Sequence, residues 1–320
     1  QVVSSWTNSL MKTGTCFISA TTPAFAMKGE IAMMREHDLK KATGAPILTI
    51  DHLDKQYGKG CPICADPANR QLEKNYCPTC GTVYACQDIS MSVYKGEIIG
   101  IVGESGSGKS TLMKCLYFDE EPTNGDFHFV RQTEDNGNLF QLSSQQKRSL
   151  RNECFGMVYQ NPYLGLKMDI SAIANVAEKM IAGGNRNVAE MTAVGGAFLE
   201  EVNIPRFRMK EVPKNFSGGM QQRVQIAKAL STNPPILFLD EVTTGLDLSV
   251  QAVVLDIIKR IQQTHQISML VVSHDLGVIR MLAQRTYVLL NGQVIESGLT
   301  DQILEDPQHP YTQQLVYSLL

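Results

Sequence analysis

Residues 103–111 read G-E-S-G-S-G-K-S-T and match the G-x-x-x-x-G-K-[ST] spacing of a phosphate-binding loop. The run E-I-I-G-I-V at 97–102 predicts a buried parallel strand before the loop, and L-M-K-C-L at 112–116 predicts a helix after it. Glycines let the backbone fold closely around a phosphate, and the helix N-terminus adds its dipole to the same anion. Lys109 can place a cation on the outer phosphates, and the Ser110 hydroxyl can bind Mg²⁺. The predicted nucleoside triphosphate site consists of Gly103, Glu104, Ser105, Gly106, Ser107, Gly108, Lys109, Ser110 and Thr111.

Later stretches add further anion and metal chemistry. S-G-G-M-Q-Q-R at 217–223 opens an apolar helix, and its small residues Ser217, Gly218 and Gly219 make a second backbone anion site. I-L-F-L-D-E at 236–241 predicts a buried strand ending in two carboxylates, and L-V-V-S-H-D at 270–275 predicts another ending in a histidine. With G-M-V-Y-Q-N-P at 156–162, this order of motifs closely resembles the ATP-binding cassette (ABC) family over about residues 46–300.

The resemblance implies an α/β fold of the P-loop NTPase class. In this family a RecA-like core carries an antiparallel β subdomain and an α-helical subdomain. We expect the cassette at residues 46–300, its helical subdomain at 160–216 and a C-terminal segment at 301–320. Residues 1–45 match no pattern, and we expect a disordered extension or residues upstream of a true start at Met27, Met33 or Met34.

The resemblance also implies roles for single residues in ATP hydrolysis. Asp240 would hold Mg²⁺ together with Ser110 and Gln160, and Glu241 would orient and deprotonate the attacking water. His274 would contact the γ-phosphate. Tyr57 would stack on adenine, unless it is an ordinary surface tyrosine.

Family members act in pairs. Each phosphate loop faces the 217–219 signature of a second subunit, which implies a head-to-tail dimer that closes on two ATP molecules and opens on hydrolysis. A homodimer is expected here, and a heterodimer stays open.

Four cysteines form an insertion that the general ABC pattern does not require. C-P-I-C at 61–64 and C-P-T-C-G at 77–81 are two knuckles with twelve residues between them. Each knuckle brings two thiolates to one side of a tight turn, so Cys61, Cys64, Cys77 and Cys80 predict a tetrahedral structural metal site within an insertion at 61–86. Zinc is favoured, and iron with the same ligands is the alternative. Such a closed site leaves no position open for catalysis.

Composition narrows the function classes. The 320 residues include 43% hydrophobic residues and carry a net charge of −3, with no long basic run, so we expect no nucleic-acid partner. No run reaches the roughly 18 apolar residues of a membrane span, so the pore of any transporter served would be another chain. Eight cysteines are too few for a disulfide scaffold of this length, and an ATP-hydrolysing cassette implies the cytoplasm.

Within the family, two branches stay open. The stretches 200–205, 216–230 and 274–311 resemble the ATPases of the carbon–phosphorus lyase system, which implies docking on the lyase core complex in phosphonate catabolism. The alternative is the ATP-binding subunit of a peptide or nickel importer. D-P-Q-H-P-Y-T at 306–312 resembles the tail of these subunits, and the partners would then be membrane permeases. A nucleic-acid-handling ABC ATPase with a four-cysteine zinc insertion is disfavoured, because those proteins carry two cassettes in one chain.

Two local predictions concern helices. Gly183–Gly184 and Gly195–Gly196 are expected to punctuate the helical subdomain. A helix at 249–262 is expected to begin with Ser249 as its cap.

Overall fold

The computed structural model describes residues 44–65, 72–131, 134–135 and 137–318. The expected N-terminal extension up to residue 43, with its candidate start sites, lies outside the described residues.

Ten strands form two sheets within the described residues. In chain order they are β1 Leu48–Tyr57, β2 Val83–Val93, β3 Ile98–Val102, β4 Asn124–Arg131, β5 Glu134–Asp135, β6 Phe155–Val158, β7 Ile236–Asp240, β8 Ser268–Ser273, β9 Arg285–Leu290 and β10 Gln293–Leu299. The larger sheet has the order β10-β9-β3-β8-β7-β6, and the smaller antiparallel sheet has the order β2-β1-β4-β5. Strands β9, β3, β8, β7 and β6 run parallel, and β10 pairs antiparallel with β9.

The helices surround and connect these sheets. They are α1 Pro62–Ala65, α2 Lys109–Leu116, α3 Ser144–Glu153, α4 Pro162–Gly165, α5 Ala172–Ala182, α6 Val188–Glu201, α7 Gly218–Leu230, α8 Leu248–His265, α9 Leu276–Leu282, α10 Thr300–Glu305 and α11 Pro310–Tyr317. Short 3₁₀ turns lie at Leu139–Gln141, Arg206–Arg208 and Pro213–Asn215.

Two large hydrophobic clusters hold the layers together. One packs β1, β2 and β4 of the small sheet, with Phe127 and Phe129, against Ile99 and Ile101 of β3 and the apolar side of α2. The other covers the opposite side of the large sheet with α5, α7, α8 and α9. Since the central strands are buried on both faces, they read in the sequence as continuous apolar runs.

Short sequence patterns account for several local features of the fold. The phosphate loop lies between β3 and α2, as the 97–116 pattern predicts. Ser143 caps α3 in a capping box with Gln146. The dipeptide Asn291–Gly292 joins β9 to β10 with φ of 50° and 82°, the left-handed conformations of a tight hairpin turn.

Two predictions about helices are wrong. Gly195 and Gly196 lie inside α6. A Cβ on Gly195 would come to 3.4 Å from Val176 of α5, so glycine there allows close helix packing and does not end the helix. Helix α8 begins at Leu248, one residue before Ser249, with Asp247 in the cap position, and the N–H of Gln251 donates to the carbonyl oxygen of Asp247.

Candidate nucleotide site and metal centre

The phosphate loop is a tight turn in which two glycines, Gly103 and Gly108, cannot be replaced without movement. Gly103, Gly106 and Gly108 have φ of 153°, 83° and 103°. A Cβ on Gly103 would lie 2.2 Å from the carbonyl oxygen of Leu289, and one on Gly108 would lie 2.0 Å from that of Ala85. The loop is therefore clamped between the ends of β9 and β2, and only glycine fits there.

Lys109 fastens the loop from within. Its Nζ donates hydrogen bonds to the carbonyl oxygens of Gly103 at 2.7 Å and Glu104 at 2.8 Å. Burial lowers the pKa of Lys109. The hydroxyl of Ser107, also buried, has no hydrogen-bond partner among the described residues, which is unusual for a buried polar group. A cation and an unsatisfied hydroxyl in a glycine-lined turn fit an anionic ligand.

Ser110 and Asp240, two of the three residues expected to hold magnesium, meet at the end of the large sheet. Ser110 Oγ donates a hydrogen bond to Asp240 Oδ1 at 3.0 Å. Asp240 is 6% exposed, and burial raises the pKa of its carboxyl group. Hydroxyl and carboxylate oxygens are suitable ligands for Mg²⁺, which usually keeps several waters.

Glu241 is the meeting point of three other side chains. Its Oε2 accepts hydrogen bonds from Gln160 Nε2 and from Thr244 Oγ1, both at 3.1 Å, and His274 Nδ1 lies 3.2 Å from it. Its backbone has φ 46°, and its N–H donates to the carbonyl oxygen of Val272 in β8. The structure thus brings together Gln160, Glu241 and His274, which lie far apart in the sequence.

Two buried side-chain amides on α7 hold the backbone at Tyr159 and Gln160, a contact that the motif pattern does not reveal. Gln222 donates to the carbonyl oxygen of Gln160 at 3.1 Å, and Gln225 donates to that of Tyr159 at 3.1 Å. Gln225 Oε1 also accepts from the N–H of Tyr159 at 3.2 Å. The only sequence signal was two polar residues within an apolar helix. The pair links the signature helix to Gln160 and so to Glu241.

The signature residues stand apart from the phosphate loop of the same chain. Ser217 caps α7 by accepting from the N–H of Met220, and Gly219 packs so closely on Val250 that a Cβ would come to 2.2 Å. The contacts of these residues include hydrogen bonds within α7 and close approaches to Leu246 and Val250.

Tyr57 lies at the end of β1 and is 41% exposed. Its hydroxyl donates a hydrogen bond to Glu120, and Lys55 Nζ lies 4.9 Å from the centre of its ring. Burial raises the pKa of Tyr57 to about 12, and the hydrogen bond to Glu120 acts in the same direction. An exposed aromatic ring near α2 can receive a base, but its hydroxyl also has a local role.

The four predicted ligand cysteines converge. Their sulfur atoms lie within 4.8 Å of one another, with separations of 3.6 Å for Cys61–Cys64, 3.9 Å for Cys61–Cys77 and 3.6 Å for Cys64–Cys80. Ligands of a tetrahedral ion with Zn–S bonds of about 2.3 Å stand about 3.8 Å apart. We call this group with its turns, residues 61–65 and 72–82, the knuckle. It fits a four-thiolate metal ion.

The environment treats these thiols unequally. A hydrogen bond from Tyr84 lowers the pKa of Cys64 to about 6, and a hydrogen bond with Thr82 lowers the pKa of Cys80. A backbone hydrogen bond lowers the pKa of Cys61, but burial and the neighbouring thiols outweigh it and raise that pKa to about 11. Cys61, Cys64 and Cys80 therefore differ in how readily each loses its proton.

The remaining cysteines of the described chain are packing residues. Cys86, Cys115 and Cys154 are buried in the cluster that joins the sheets. Burial raises the pKa of Cys115 to about 12. They behave as small hydrophobic side chains.

Comparison with known proteins identifies the family. A family model described as ABC transporter matches residues 86–244. The phosphonates utilization ATP-binding protein PhnK of Escherichia coli (strain K12) is 46% identical over 233 residues, which are 73% of this chain and 90% of PhnK. This chain belongs to the ABC family. The ABC relatives also include the oligopeptide transport ATP-binding protein OppD of Bacillus subtilis (strain 168), 35% identical over 241 residues, 75% of this chain and 67% of OppD.

Solved ABC structures confirm the fold. An ATP-binding cassette solved as a dimer in a post-hydrolysis state with ADP and Pi has a TM-score of 0.65 and 25% identity, and the match covers 79% of this chain and 98% of that one. The predicted ABC fold and ATPase class are thereby confirmed, and ATP with Mg²⁺ is the implied substrate pair. In the described residues, no helix is both long and apolar enough to cross a membrane.

Proposed function

We propose that the chain hydrolyses MgATP with Glu241 as the general base. The observation that carries this role is the convergence of Gln160, Thr244 and His274 on one carboxylate oxygen. Gln160 and Thr244 hold the carboxylate in place, so that it can orient a water and accept its proton. His274 would contact the γ-phosphate of the bound ATP.

The phosphate chain would be bound by the loop at 103–111. Lys109, whose hydrogen bonds now close the loop, would turn to the outer phosphates, and the loop N–H groups would bind the rest. Ser110, Asp240 and Gln160 would hold Mg²⁺, which neutralises charge on the phosphates. Tyr57 would support the adenine.

The site is completed by a second subunit. In one chain, Ser217 caps its own helix and Gly219 packs against Val250, and this helix N-terminus is a backbone anion site. A head-to-tail homodimer would place this end on the partner's ATP. ATP would then close the dimer, because it binds the closed form more tightly than the open one.

The partner system is phosphonate catabolism. The support is the 46% identity to a phosphonates utilization protein, against 35% to peptide transport proteins. We propose the division 46–300 for the cassette, 160–216 for the helical subdomain and 301–320 for the C-terminal segment, with the helical subdomain docking on the carbon–phosphorus lyase core in the cytoplasm. The alternative, an importer subunit that docks on permeases, is supported by the identities to OppD and to the dipeptide transport protein DppD of the same organism.

The knuckle binds zinc in this proposal. The support is the match between the observed sulfur separations and a tetrahedral four-thiolate ion, with iron as the alternative metal. Such an ion would serve structure, since four protein ligands leave it no open position.

A capture experiment tests the partner. Tagged Glu241→Gln protein, held closed by MgATP, is incubated with cytosol and with solubilised membranes of the native host. The control is the same protein with Lys109→Ala added, which cannot hold ATP. ATP-dependent recovery of carbon–phosphorus lyase subunits is expected. Recovery of integral membrane permeases instead contradicts the phosphonate assignment and supports the importer.

A further inference from the structure

The knuckle lies against the phosphate loop, although the two are separated in the sequence. Asn75, between the two cysteine pairs, donates a long hydrogen bond of 3.4 Å from Nδ2 to the carbonyl oxygen of Gly106. The carbonyl oxygen of Asn75 accepts from the N–H of Tyr84 at 2.7 Å. Asn75 therefore links the turn between the metal ligands to both the loop and β2.

Tyr84 ties the ligands themselves to the strand. Its ring is 6% exposed, and its hydroxyl donates to the carbonyl oxygen of Cys64 at 2.7 Å. The next residue, Ala85, presents the carbonyl oxygen that comes within 2.0 Å of a Cβ built on Gly108. No side chain separates β2 from the loop here, so a movement of Tyr84 and Ala85 is transmitted directly to Gly108.

The other side of the knuckle meets the adenine side of the proposed site. Thr82 Oγ1 accepts from Cys80 Sγ at 3.2 Å and from the N–H of Gly60 at 3.0 Å. A Cβ on Gly58 would lie 2.6 Å from the same hydroxyl oxygen. Gly58 directly follows Tyr57, so the ligand turn also fixes the end of β1.

Within the described residues, the knuckle has only a small apolar core of its own. Its own hydrophobic cluster contains only Cys64, Cys77 and Tyr84 as buried members, with Cys61 and Leu72 packed against them. This cluster is separate from the two large clusters of the cassette. So small an apolar core stabilises a turn weakly, and in small domains of this kind the metal supplies the folding energy.

We propose that the metal ion in the knuckle orders the nucleotide site, so that metal loading sets the affinity for ATP. The proposal rests on the ATP and metal sites proposed above. Asn75 is the positioning residue on the phosphate side, and Tyr84 links the ligand set to Gly108. Coupling between two binding sites is reciprocal, so bound ATP must raise the affinity for zinc by the same factor.

The first test compares ATP binding in two forms of the wild-type protein. The Kd for a fluorescent ATP analogue is measured with zinc-loaded protein and with protein stripped by a thiol-competing chelator, with Mg²⁺ constant. The expected result is a Kd at least about fivefold higher after stripping, the low end of typical coupling between sites. Circular dichroism and the zinc content of each sample show that the cassette stays folded and that the metal has left.

The second test uses Asn75→Ala, with Thr79→Ala as the matched control. Thr79 lies between Cys77 and Cys80 and is exposed. Asn75→Ala is expected to keep its zinc and to bind the analogue more weakly, and Thr79→Ala to match the wild type in both. A structural role alone would instead lower zinc content and leave the ATP affinity of the loaded protein unchanged.

Each of three results overturns the proposal or the part of it that the experiment tests. One is an equal Kd for the analogue in loaded and stripped protein, which leaves the ATPase and the metal site standing. Another is equal ATP affinity in zinc-loaded Asn75→Ala and wild type, which removes Asn75 from the coupling. A chain that binds no metal at all removes both the coupling and the proposed metal site.

Discussion

The phosphate loop and the knuckle are both tight turns, for which we propose a phosphate and a metal ion as ligands, but they are stabilised differently. The loop is clamped by Ala85 and Leu289 and closed by Lys109 inside the large core. The knuckle has four sulfur atoms and a cluster of a few side chains. The loop is therefore preformed by the protein, whereas the knuckle depends on the proposed metal ion. A preformed site binds tightly because little ordering is left for the ligand to supply.

The sharpest test of the preformed loop is Gly108→Ala. The new Cβ would have to occupy space 2.0 Å from Ala85, at φ 103°. Backbone strain alone costs on the order of 1–3 kcal/mol, and the overlap adds to it. We expect loss of measurable ATP binding. Gly106→Ala is the matched control, because it also has positive φ but no atom within 4 Å of its Cβ. Equal ATP affinity in the two variants would show that the clamp is not important.

The knuckle is tested by the double substitution Cys61→Ser and Cys64→Ser. Two thiolates are lost from a four-ligand site, so the zinc content is expected to fall from about one ion per chain to none. Elemental analysis measures it. Cys86→Ala is the control, since Cys86 is buried in β2 and is not one of the four converging cysteines. Metal retained in the double variant would refute the ligand assignment.

Tyr57 is proposed to support the adenine base, and the contributions of its ring and its hydroxyl can be tested separately. Stacking of a base on an aromatic ring is worth about 1–3 kcal/mol by alanine substitution, so Tyr57→Ala should weaken ATP binding by roughly 5- to 150-fold. Tyr57→Phe keeps the ring and loses only the hydrogen bond to Glu120. If both variants weaken binding equally in equilibrium titrations, the hydroxyl and not the ring is what matters.

A smaller effect is expected for the pH dependence of stability, through the buried residue Lys179. Burial lowers the pKa of Lys179 to about 7, and its Nζ donates to the carbonyl oxygens of Phe155 and Ala229. Between about pH 7 and the ordinary lysine pKa near 10.4, the unfolded chain holds a proton that the folded chain releases. The free energy of unfolding should therefore rise with pH across this window.

Lys179→Met should flatten this rise in urea unfolding curves recorded at successive pH values. The control is Lys210→Met, an exposed lysine whose removal should leave the slope unchanged. An identical slope in Lys179→Met and the wild type would mean that Lys179 stays protonated when buried.

The sequence was most informative where short-range pattern and chemistry coincide. The loop at 103–111, the strand ending at Asp240 and the cysteine pairs were placed correctly because each depends on residues close in the chain. The contacts of Gln225 with Tyr159 and of Asn75 with Gly106 were missed, because they depend on which elements pack together.

A further contact of this kind joins the C-terminal segment to the phosphate loop. The hydroxyl of Tyr311 in α11 accepts from the N–H of Glu104 at 2.9 Å. The tail pattern at 306–312 indicated a family branch but not this position. The errors at Ser249 and Gly195 concern helix ends: α8 begins one residue earlier than the cap signal indicates, and Gly195 lies inside α6, where it faces Val176 of α5.

The central claim is that Glu241 deprotonates the attacking water in an ATP site that is otherwise intact. The most direct measurement follows ATP hydrolysis and ATP binding by Glu241→Gln in parallel with the wild type. Loss of a general base is expected to slow hydrolysis by about 10²- to 10⁴-fold, while ATP still binds and the protein accumulates as a closed dimer. Wild-type turnover by Glu241→Gln would contradict the account.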